Sequence, residues 1–163
     1  MLLLRALLAF LAMPAIVAFI IPTWISPSQG TDTAGAVLAL LGLIGLLWCV
    51  RDFYVIGRGT LAPWDPPKRL VAVGLYRVCR NPMYVSVVTL IAGQAWWRHS
   101  WQTALYAAFV AVATHLRVTL YEEPLLARSF PEDWAAYSAK VGRWGPKVRS
   151  ASANAAHPPD EQP

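Results

Sequence analysis

Four apolar segments, separated by shorter polar or proline-rich stretches, dominate the pattern of hydrophobic and polar positions along this chain. They cover residues 2–21, 34–50, 83–97 and 102–121. Apolar runs of about 17–25 residues are long enough to cross the roughly 30 Å hydrocarbon core of a bilayer as helices. The pattern therefore predicts an all-α fold, an integral membrane bundle of four transmembrane or re-entrant helices.

The first and third of these segments leave alternatives open. Residues 2–21 are too long for a signal peptide and have no small-residue cleavage site after them, so we expect an uncleaved helix, kinked or eased near Pro14. Residues 83–97 cover only about 22 Å as a helix, so this segment either crosses with help from its flanks or forms one arm of a helical hairpin.

Three glycines in the second segment bear on helix packing. Gly35, Gly42 and Gly45 allow a neighbouring helix to approach closely, although glycine is also simply tolerated in membrane helices. The pattern leaves the two interpretations equally open.

Composition and charge support a membrane protein over a nucleic-acid-binding one. Hydrophobic residues make up 56% of the chain and charged residues only 14%, against about 25% charged in soluble domains. The formal net charge is +5, and the basic residues stand in loops beside the apolar segments. Since cytoplasmic loops carry the excess of Lys and Arg, residues 51–81 and both termini are expected in the cytoplasm, and residues 22–30 outside.

The chain divides into three parts on this pattern. Residues 1–56 form an N-terminal two-helix membrane region. Residues 57–149 form a cytoplasm-facing region with the helical hairpin, in which any catalytic and cofactor-binding residues are expected. Residues 150–163, rich in Ala, Ser, Pro and acids, are expected to be a disordered tail.

The first candidate site lies at Arg80-Asn81-Pro82. Asn is a preferred N-cap residue and Pro suits the first helical position, so the third helix is predicted to begin at Pro82. Its unpaired N–H groups and positive dipole end would then favour an anion. Tyr76 and Tyr84 stand close to this point in the sequence. The alternative is that Asn81-Pro82 only starts a helix.

The second candidate site is the pair Glu122-Glu123 at the end of the fourth apolar segment. Acidic residues within or beside membrane helices are costly and are functional candidates. His115 and Thr119 share a helical face with this pair, which suggests a wet cavity. Two solvated acids that pair with loop arginines are an equally good interpretation.

Two further features complete the sequence pattern. Trp134, Tyr137 and Val141 recur at helical spacing within residues 130–144, which predicts an amphipathic helix that lies on the membrane or caps the bundle. Cys79 stands beside Arg77 and Arg80, which could lower its pKa, but the absence of a partner motif favours a free thiol without a role. No metal-ligand spacing is present in the sequence, so no metal site is expected.

These motifs together resemble the superfamily of isoprenylcysteine carboxyl methyltransferases and phospholipid N-methyltransferases. The residues that carry the resemblance are Gly57-Arg58-Gly59-Thr60, Pro63, Asp65-Pro66-Pro67, Leu70-Val71, the stretch from Gly74 through Tyr84, Glu122-Glu123-Pro124-Leu125-Leu126, Phe130, Trp134, Tyr137, and Val141-Gly142-Arg143-Trp144 with Pro146.

The resemblance implies an integral membrane methyltransferase that uses S-adenosylmethionine, with its cofactor site on the cytoplasmic side. The implied cofactor-binding residues are Tyr76, Arg80, Asn81, Pro82, Tyr84, Glu122 and Glu123, and the implied catalytic residues are Arg143 and Glu122. Asn81 departs from the pattern, because eukaryotic prenylcysteine enzymes have His at this position. The bacterial branch of the superfamily implies location in a bacterial inner membrane.

The methyl acceptor is left open by the sequence. The resemblance implies a lipophilic small molecule or lipid that arrives from the bilayer, with carboxyl O-methylation of the isoprenylcysteine type favoured because no base is evident. N-methylation of a phospholipid amine and non-catalytic lipid binding are the alternatives. Membrane lipids are expected partners and nucleic acid is not, and the sequence does not define the oligomeric state.

Overall fold

The computed structural model describes residues 14–27, 30–57, 70 and 72–147, without the side chains of residues 53, 54, 56 and 57. Most of the first apolar segment and the whole predicted tail at residues 150–163 therefore lie outside the described residues, as do residues 58–69 and 71.

Within these ranges the fold is all-helical, as the sequence predicts. The helices are α1 (Ile16–Ile25), α2 (Thr33–Gly57), α3 (Pro82–Trp97), α4 (Trp101–Ser129) and α5 (Pro131–Lys140). Two stretches adopt the wider π form, Ile16–Ile20 in α1 and Val118–Glu122 in α4. A short 3₁₀ turn, Gly74–Arg77, precedes α3.

Two of these helices are long and apolar enough to cross a membrane. They are α2, over Thr33–Asp52, and the whole of α4. Both expose large apolar side chains, including Leu40, Leu41, Ile44 and Leu47 on α2 and Leu105, Phe109, Val112 and Leu116 on α4. In the described residues α1 has only ten residues and α3 has 16, so the predicted total of four membrane helices stays a prediction.

The second helix extends further than the sequence pattern indicated. The pattern placed Arg51 and Asp52 in a cytoplasmic loop, but α2 continues through both of them to Gly57. Helix propagation adds one hydrogen bond for each residue fixed, and the chain has no proline from position 51 to Pro63 that would stop it. Residues 51–57 therefore belong to α2 and not to the predicted loop.

Close packing of α2 against α3 forms the centre of the molecule. A Cβ atom added at Gly42 would collide with the backbone nitrogen of Leu90, and one added at Gly93 would collide with the backbone of Ala39. A Cβ at Gly35 would likewise meet the backbone of Trp97. Gly35 and Gly42 are therefore required by the helix contact, which decides for these two between the interpretations that the sequence left open.

A polar turn at Asp32, directly before α2, holds the start of α2 against the end of α3 at one end of the bundle. The Asp32 carboxylate accepts hydrogen bonds from the backbone N–H groups of Ala34, at 2.9 Å, and Gly35, at 3.1 Å, and so caps α2. The indole N–H of Trp96 donates to the same carboxylate at 3.2 Å. The Asp32 turn contacts the C-terminal end of α3. The N-terminal turn of α3 therefore lies at the opposite end of the bundle.

We predict that Gly42→Ala destabilises the protein. Overpacking a close contact costs about 1–3 kcal/mol, and the better helix propensity of alanine returns at most about 1 kcal/mol. The expected net result is a lower midpoint of thermal unfolding in detergent. Gly145→Ala is the matched control, because a Cβ there meets no atom within 4 Å. Equal midpoints for the two variants would contradict the packing described above.

Candidate active site

Four parts of the chain meet at the end of the bundle opposite the Asp32 turn. They are the residues before α3, the last part of α4, helix α5, and the non-helical residues 141–145, which we call the C-terminal strap. Tyr137 of α5 donates its hydroxyl proton to the backbone carbonyl of Tyr76 at 2.7 Å. This bond ties α5 to the segment that leads into α3.

The strap runs beside the residues that precede α3. The Arg80 backbone N–H donates to the Gly142 carbonyl at 2.9 Å, within a parallel bridge between Cys79 and Gly142. The Asn81 side-chain amide donates to the Arg143 carbonyl at 3.1 Å, and the Cys79 thiol donates to the same carbonyl at 3.4 Å. These bonds set the position of the Arg143 side chain.

Helix α3 begins at Pro82, as the sequence predicts, but Asn81 does not cap it with its side chain. The Asn81 side chain instead binds the Arg143 carbonyl of the strap. Proline at the first helical position suffices to start the helix, because its fixed φ angle suits a helix and its missing N–H would have no partner there. The first turn of α3 thus keeps backbone N–H groups that no Asn81 oxygen occupies, as an anion site requires.

Glu123 is held by two arginines. Arg143 binds it through two parallel bonds of 2.8 Å, from Nε and Nη2, and Arg80 Nη1 lies 3.2 Å from Oε1. The side chains of Glu123 and Arg80 are only 15% and 13% exposed, so this ion pair is shielded from water. The paired Glu123 carboxylate raises the pKa of the Arg143 guanidinium. The Arg80 guanidinium also lies over the Trp134 ring, 5.3 Å from its centroid.

Glu122 forms a second, adjacent cluster. The Tyr84 hydroxyl donates to Glu122 Oε1 at 2.5 Å, and Arg117 Nε donates to the same oxygen at 2.7 Å. Arg117 and Glu122 stand five residues apart, a spacing that a π-helical turn brings together and an α-helix does not. The Arg117 guanidinium also lies 6.0 Å from the centroid of the Tyr121 ring.

The structure brings most of the sequence-predicted site residues together. Those that join the two clusters or the strap are Arg80, Asn81, Tyr84, Glu122, Glu123 and Arg143, with Pro82 at the helix start. Tyr76 is different, because its ring is buried beside Cys49 in the core. Burial raises the pKa of the Tyr76 hydroxyl, so this group stays protonated at neutral pH and does not act as a base. The contribution of Tyr76 to the site is the carbonyl that binds α5.

The pairing of both glutamates with arginines also fits the plainer interpretation of two acids neutralised by cations. One feature goes beyond it. Arg80 Nε is buried, and within the described part of the chain it has no hydrogen-bond acceptor. Since a buried donor without an acceptor costs about 1–3 kcal/mol, it identifies a place where a ligand oxygen would be stabilised.

The predicted C-terminal amphipathic helix is shorter than expected. Residues 130–144 were predicted to be helical, but α5 ends at Lys140 and residues 141–145 form the strap. The Lys147 ammonium donates to the Ala139 carbonyl at 2.9 Å, which satisfies one of the last carbonyls of α5. Ending the helix here frees the strap backbone to bind the residues before α3.

Sequence reasoning passed over the partner of Glu122. Arg117 was not among the predicted site residues, and its spacing of five residues from Glu122 fits no α-helical pair. A search for charge pairs at π-helical spacing near a proline would have found it, since Pro124 stands two residues after Glu122. Proline has no backbone N–H, so the α-helical hydrogen bond from this position is absent.

Comparison with known proteins assigns the class. The phospholipid methyltransferase family profile matches residues 31–133, which cover α2, α3, α4 and both glutamates. The chain therefore belongs to this family of membrane methyltransferases, within the superfamily of isoprenylcysteine carboxyl methyltransferase-like proteins that the sequence motifs indicated.

Two curated relatives are named for metal resistance. The chain is 32% identical over 110 residues to the nickel-cobalt-cadmium resistance protein NccN of Alcaligenes xylosoxydans xylosoxydans, a match that covers 68% of this chain and 46% of that protein. It is 29% identical over 126 residues to the cobalt-zinc-cadmium resistance protein CzcN of Cupriavidus metallidurans, a match that covers 77% of this chain and 53% of that protein. The chain spans about half the length of these relatives, and no solved structure matches it.

We predict that Cys79 reacts slowly with maleimide in the folded protein. Cys79 is 7% exposed, and burial raises the pKa of its thiol despite the opposing effects of the Asn81 N–H and Arg80, so the lowered pKa considered from the sequence is wrong. A raised pKa leaves less thiolate at any given pH. Labelling of a Cys49→Ala variant at pH 7–8 should therefore rise sharply in sodium dodecyl sulfate. Equal rates in the folded and unfolded states would contradict this.

Proposed function

We propose that this protein is an integral membrane methyltransferase that uses S-adenosylmethionine to methylate the carboxylate of a lipophilic acceptor. One observation carries the proposal beyond the family assignment. Three guanidinium groups and two carboxylates converge at one end of two long apolar helices. We place this end of the bundle, with both termini, at the cytoplasmic face of a bacterial inner membrane, in line with its basic loops.

The described residues fit the cofactor. The buried Arg80 Nε, which lacks an acceptor, and the N–H groups of the first turn of α3 suit the carboxylate of an amino acid. The oxygens of Glu122 and Glu123 suit its ammonium and hydroxyl groups. Tyr84 fixes the orientation of Glu122 through their hydrogen bond. Asn81 and Pro82 shape the backbone that presents these groups.

The chemistry asks the protein mainly for orientation. When bound, S-adenosylmethionine supplies an activated methyl group, and transfer to a carboxylate breaks the carbon–sulfur bond, forms the ester carbon–oxygen bond and releases neutral S-adenosylhomocysteine without a proton. Holding two reactants in line can lower a barrier by several kcal/mol. Arg143 and Arg117 lie at the rim of the clusters and are positioned to hold the acceptor carboxylate.

The charge balance favours an anionic acceptor over an amine. The Glu122 and Glu123 clusters together contain three guanidinium groups and two carboxylates, so their net charge is positive. A neutral amine nucleophile requires removal of a proton, and both glutamates already accept hydrogen bonds from cations. N-methylation of a phospholipid amine is the second candidate, favoured by the family description.

We predict that the purified protein binds S-adenosylmethionine and that Glu123→Gln weakens binding about tenfold or more. The loss follows because a hydrogen bond to a charged group contributes about 1.5–3 kcal/mol. Calorimetry in lipid nanodiscs measures the affinity. Arg80→Lys keeps the charge but removes Nε, and should also weaken binding. Glu132→Gln, on the exposed surface of α5, is the control. A folded wild-type protein that does not bind the cofactor would refute the proposal.

We predict that labelled methyl groups pass to lipophilic carboxylic acids rather than to phosphatidylethanolamine. Alkali releases a methyl ester as volatile labelled methanol but leaves an N-methyl group in place, so one assay separates the two products. Label that resists alkali and stays with the phospholipid would transfer the assignment to N-methylation. Cofactor binding without transfer to either class would favour a non-catalytic lipid-binding protein.

A role in metal resistance is a further candidate, because both relatives are named for it. Among the described residues, no group of three or more His, Cys, Asp or Glu side chains is placed to hold a metal ion. Growth on cobalt, nickel and cadmium salts, with wild type beside Glu123→Gln, separates a resistance role that needs the cluster from one that does not.

A further inference from the structure

The C-terminal strap contacts a second partner that the cofactor assignment does not use. Trp144, directly after Arg143, donates its indole N–H to His115 Nδ1 at 3.2 Å. The two rings also pack together, with centroids 5.8 Å apart and planes inclined by 32°. His115 belongs to α4, so the strap joins the Glu123 cluster to the surface of this helix.

The Trp144 contact determines which nitrogen of a neutral His115 imidazole carries the proton. An indole N–H is only a donor, so His115 Nδ1 must be the acceptor. In the neutral imidazole the single proton is then on Nε2. The Nε2–H group is a directed donor with no acceptor in the described part of the chain, on a side chain that is exposed.

His115 lies on the face of α4 that carries Thr119 and Glu122, beside a stripe of exposed apolar side chains. Leu116 is 49% exposed and Leu120 is 74% exposed, as expected for a helix surface in contact with lipid. His115 precedes Arg117, one of the two arginines proposed to hold the acceptor carboxylate, by two residues, which places it about 3 Å further from the cytoplasmic end of α4 along the helix axis. A hydrogen-bond donor at this depth would contact the methyl acceptor between the reacting group and the apolar tail of that molecule.

We propose that His115, held by Trp144, determines acceptor specificity by binding a second polar group, an amide or ester carbonyl between the methylated group and the tail. This proposal rests on the function proposed above, in which the acceptor reaches the cluster from the bilayer. An N–H group without an acceptor beside a lipid-exposed helix surface is unfavourable. A methyl acceptor with a carbonyl at this point pairs with the His115 N–H, whereas one with a plain alkyl chain leaves the N–H unpaired. A site with such a donor favours the substrate that can pair with it.

Two ligands with the same reacting group test the proposal. Palmitate carries only a carboxylate, and N-palmitoylglycine carries a carboxylate and an amide carbonyl behind it. We expect wild-type protein to bind N-palmitoylglycine about threefold to tenfold more tightly than palmitate, as one net hydrogen bond allows. Native mass spectrometry of the detergent-solubilised protein measures this ratio without any turnover. The ratio of KM values for labelled methyl transfer gives a second readout.

The variants separate a specificity role from a structural one. His115→Leu should remove the preference for N-palmitoylglycine and leave palmitate and S-adenosylmethionine affinities unchanged. His115→Gln, which keeps an N–H donor, should retain part of the preference. Trp144→Phe keeps an aromatic ring but loses the indole N–H, so it should reduce the preference as well. His99→Asn, at the other end of α3, is the control and should behave as wild type, because asparagine tolerates the positive φ angle of 51° at that position.

The two proposals fail in different ways. Equal binding of both ligands by wild type, or an equal loss of both in His115→Leu, overturns the role of His115. A preference that depends on His115 without methyl transfer to either ligand supports the acceptor site and instead counts against the proposed reaction.

Discussion

The Glu123 carboxylate is the group around which the candidate site is organised. A carboxylate largely withdrawn from water near the end of an apolar helix is unfavourable unless cations and hydrogen bonds compensate it. Arg143 supplies two parallel bonds from the strap, and Arg80 supplies a further cation from the residues before α3. Three distant parts of the sequence therefore have to meet at this carboxylate. Helix α5 joins them through Trp134, whose ring lies under the Arg80 guanidinium.

Rigid packing between α2 and α3 gives this site a fixed base. Because glycines bring the two backbones into contact, α3 has little freedom to slide or rotate against α2. The polar turn at Asp32 holds the far end of α3. The first turn of α3 therefore presents Tyr84 to Glu122 from a fixed position. A helix held only by long flexible side chains would not keep a 2.5 Å hydrogen bond in one geometry.

Local signals in the sequence predicted the elements of the site but not their contacts. Proline at the first helical position located the start of α3, and acids in an apolar helix located Glu122 and Glu123. The side chain of Asn81 was predicted wrongly, because its partner, the Arg143 carbonyl, lies 62 residues away in the sequence. The pair of Arg117 and Glu122 was missed because a π-helical turn replaces α-helical spacing. The strap was missed for the same reason as Asn81, since its conformation depends on tertiary bonds.

The strap places neighbouring residues against two different environments. Arg143 turns to the polar cluster, where a water-soluble cofactor would bind, and Trp144 turns to the exposed surface of α4, where a lipophilic acceptor would arrive. Consecutive Cα atoms are about 3.8 Å apart, so neither side chain can be displaced far without moving the backbone of the other. A ligand that competes with Arg143 for Glu123 would therefore also shift Trp144 against His115. In the proposed reaction, the same short segment would therefore link the site of the soluble substrate to that of the membrane-dissolved one.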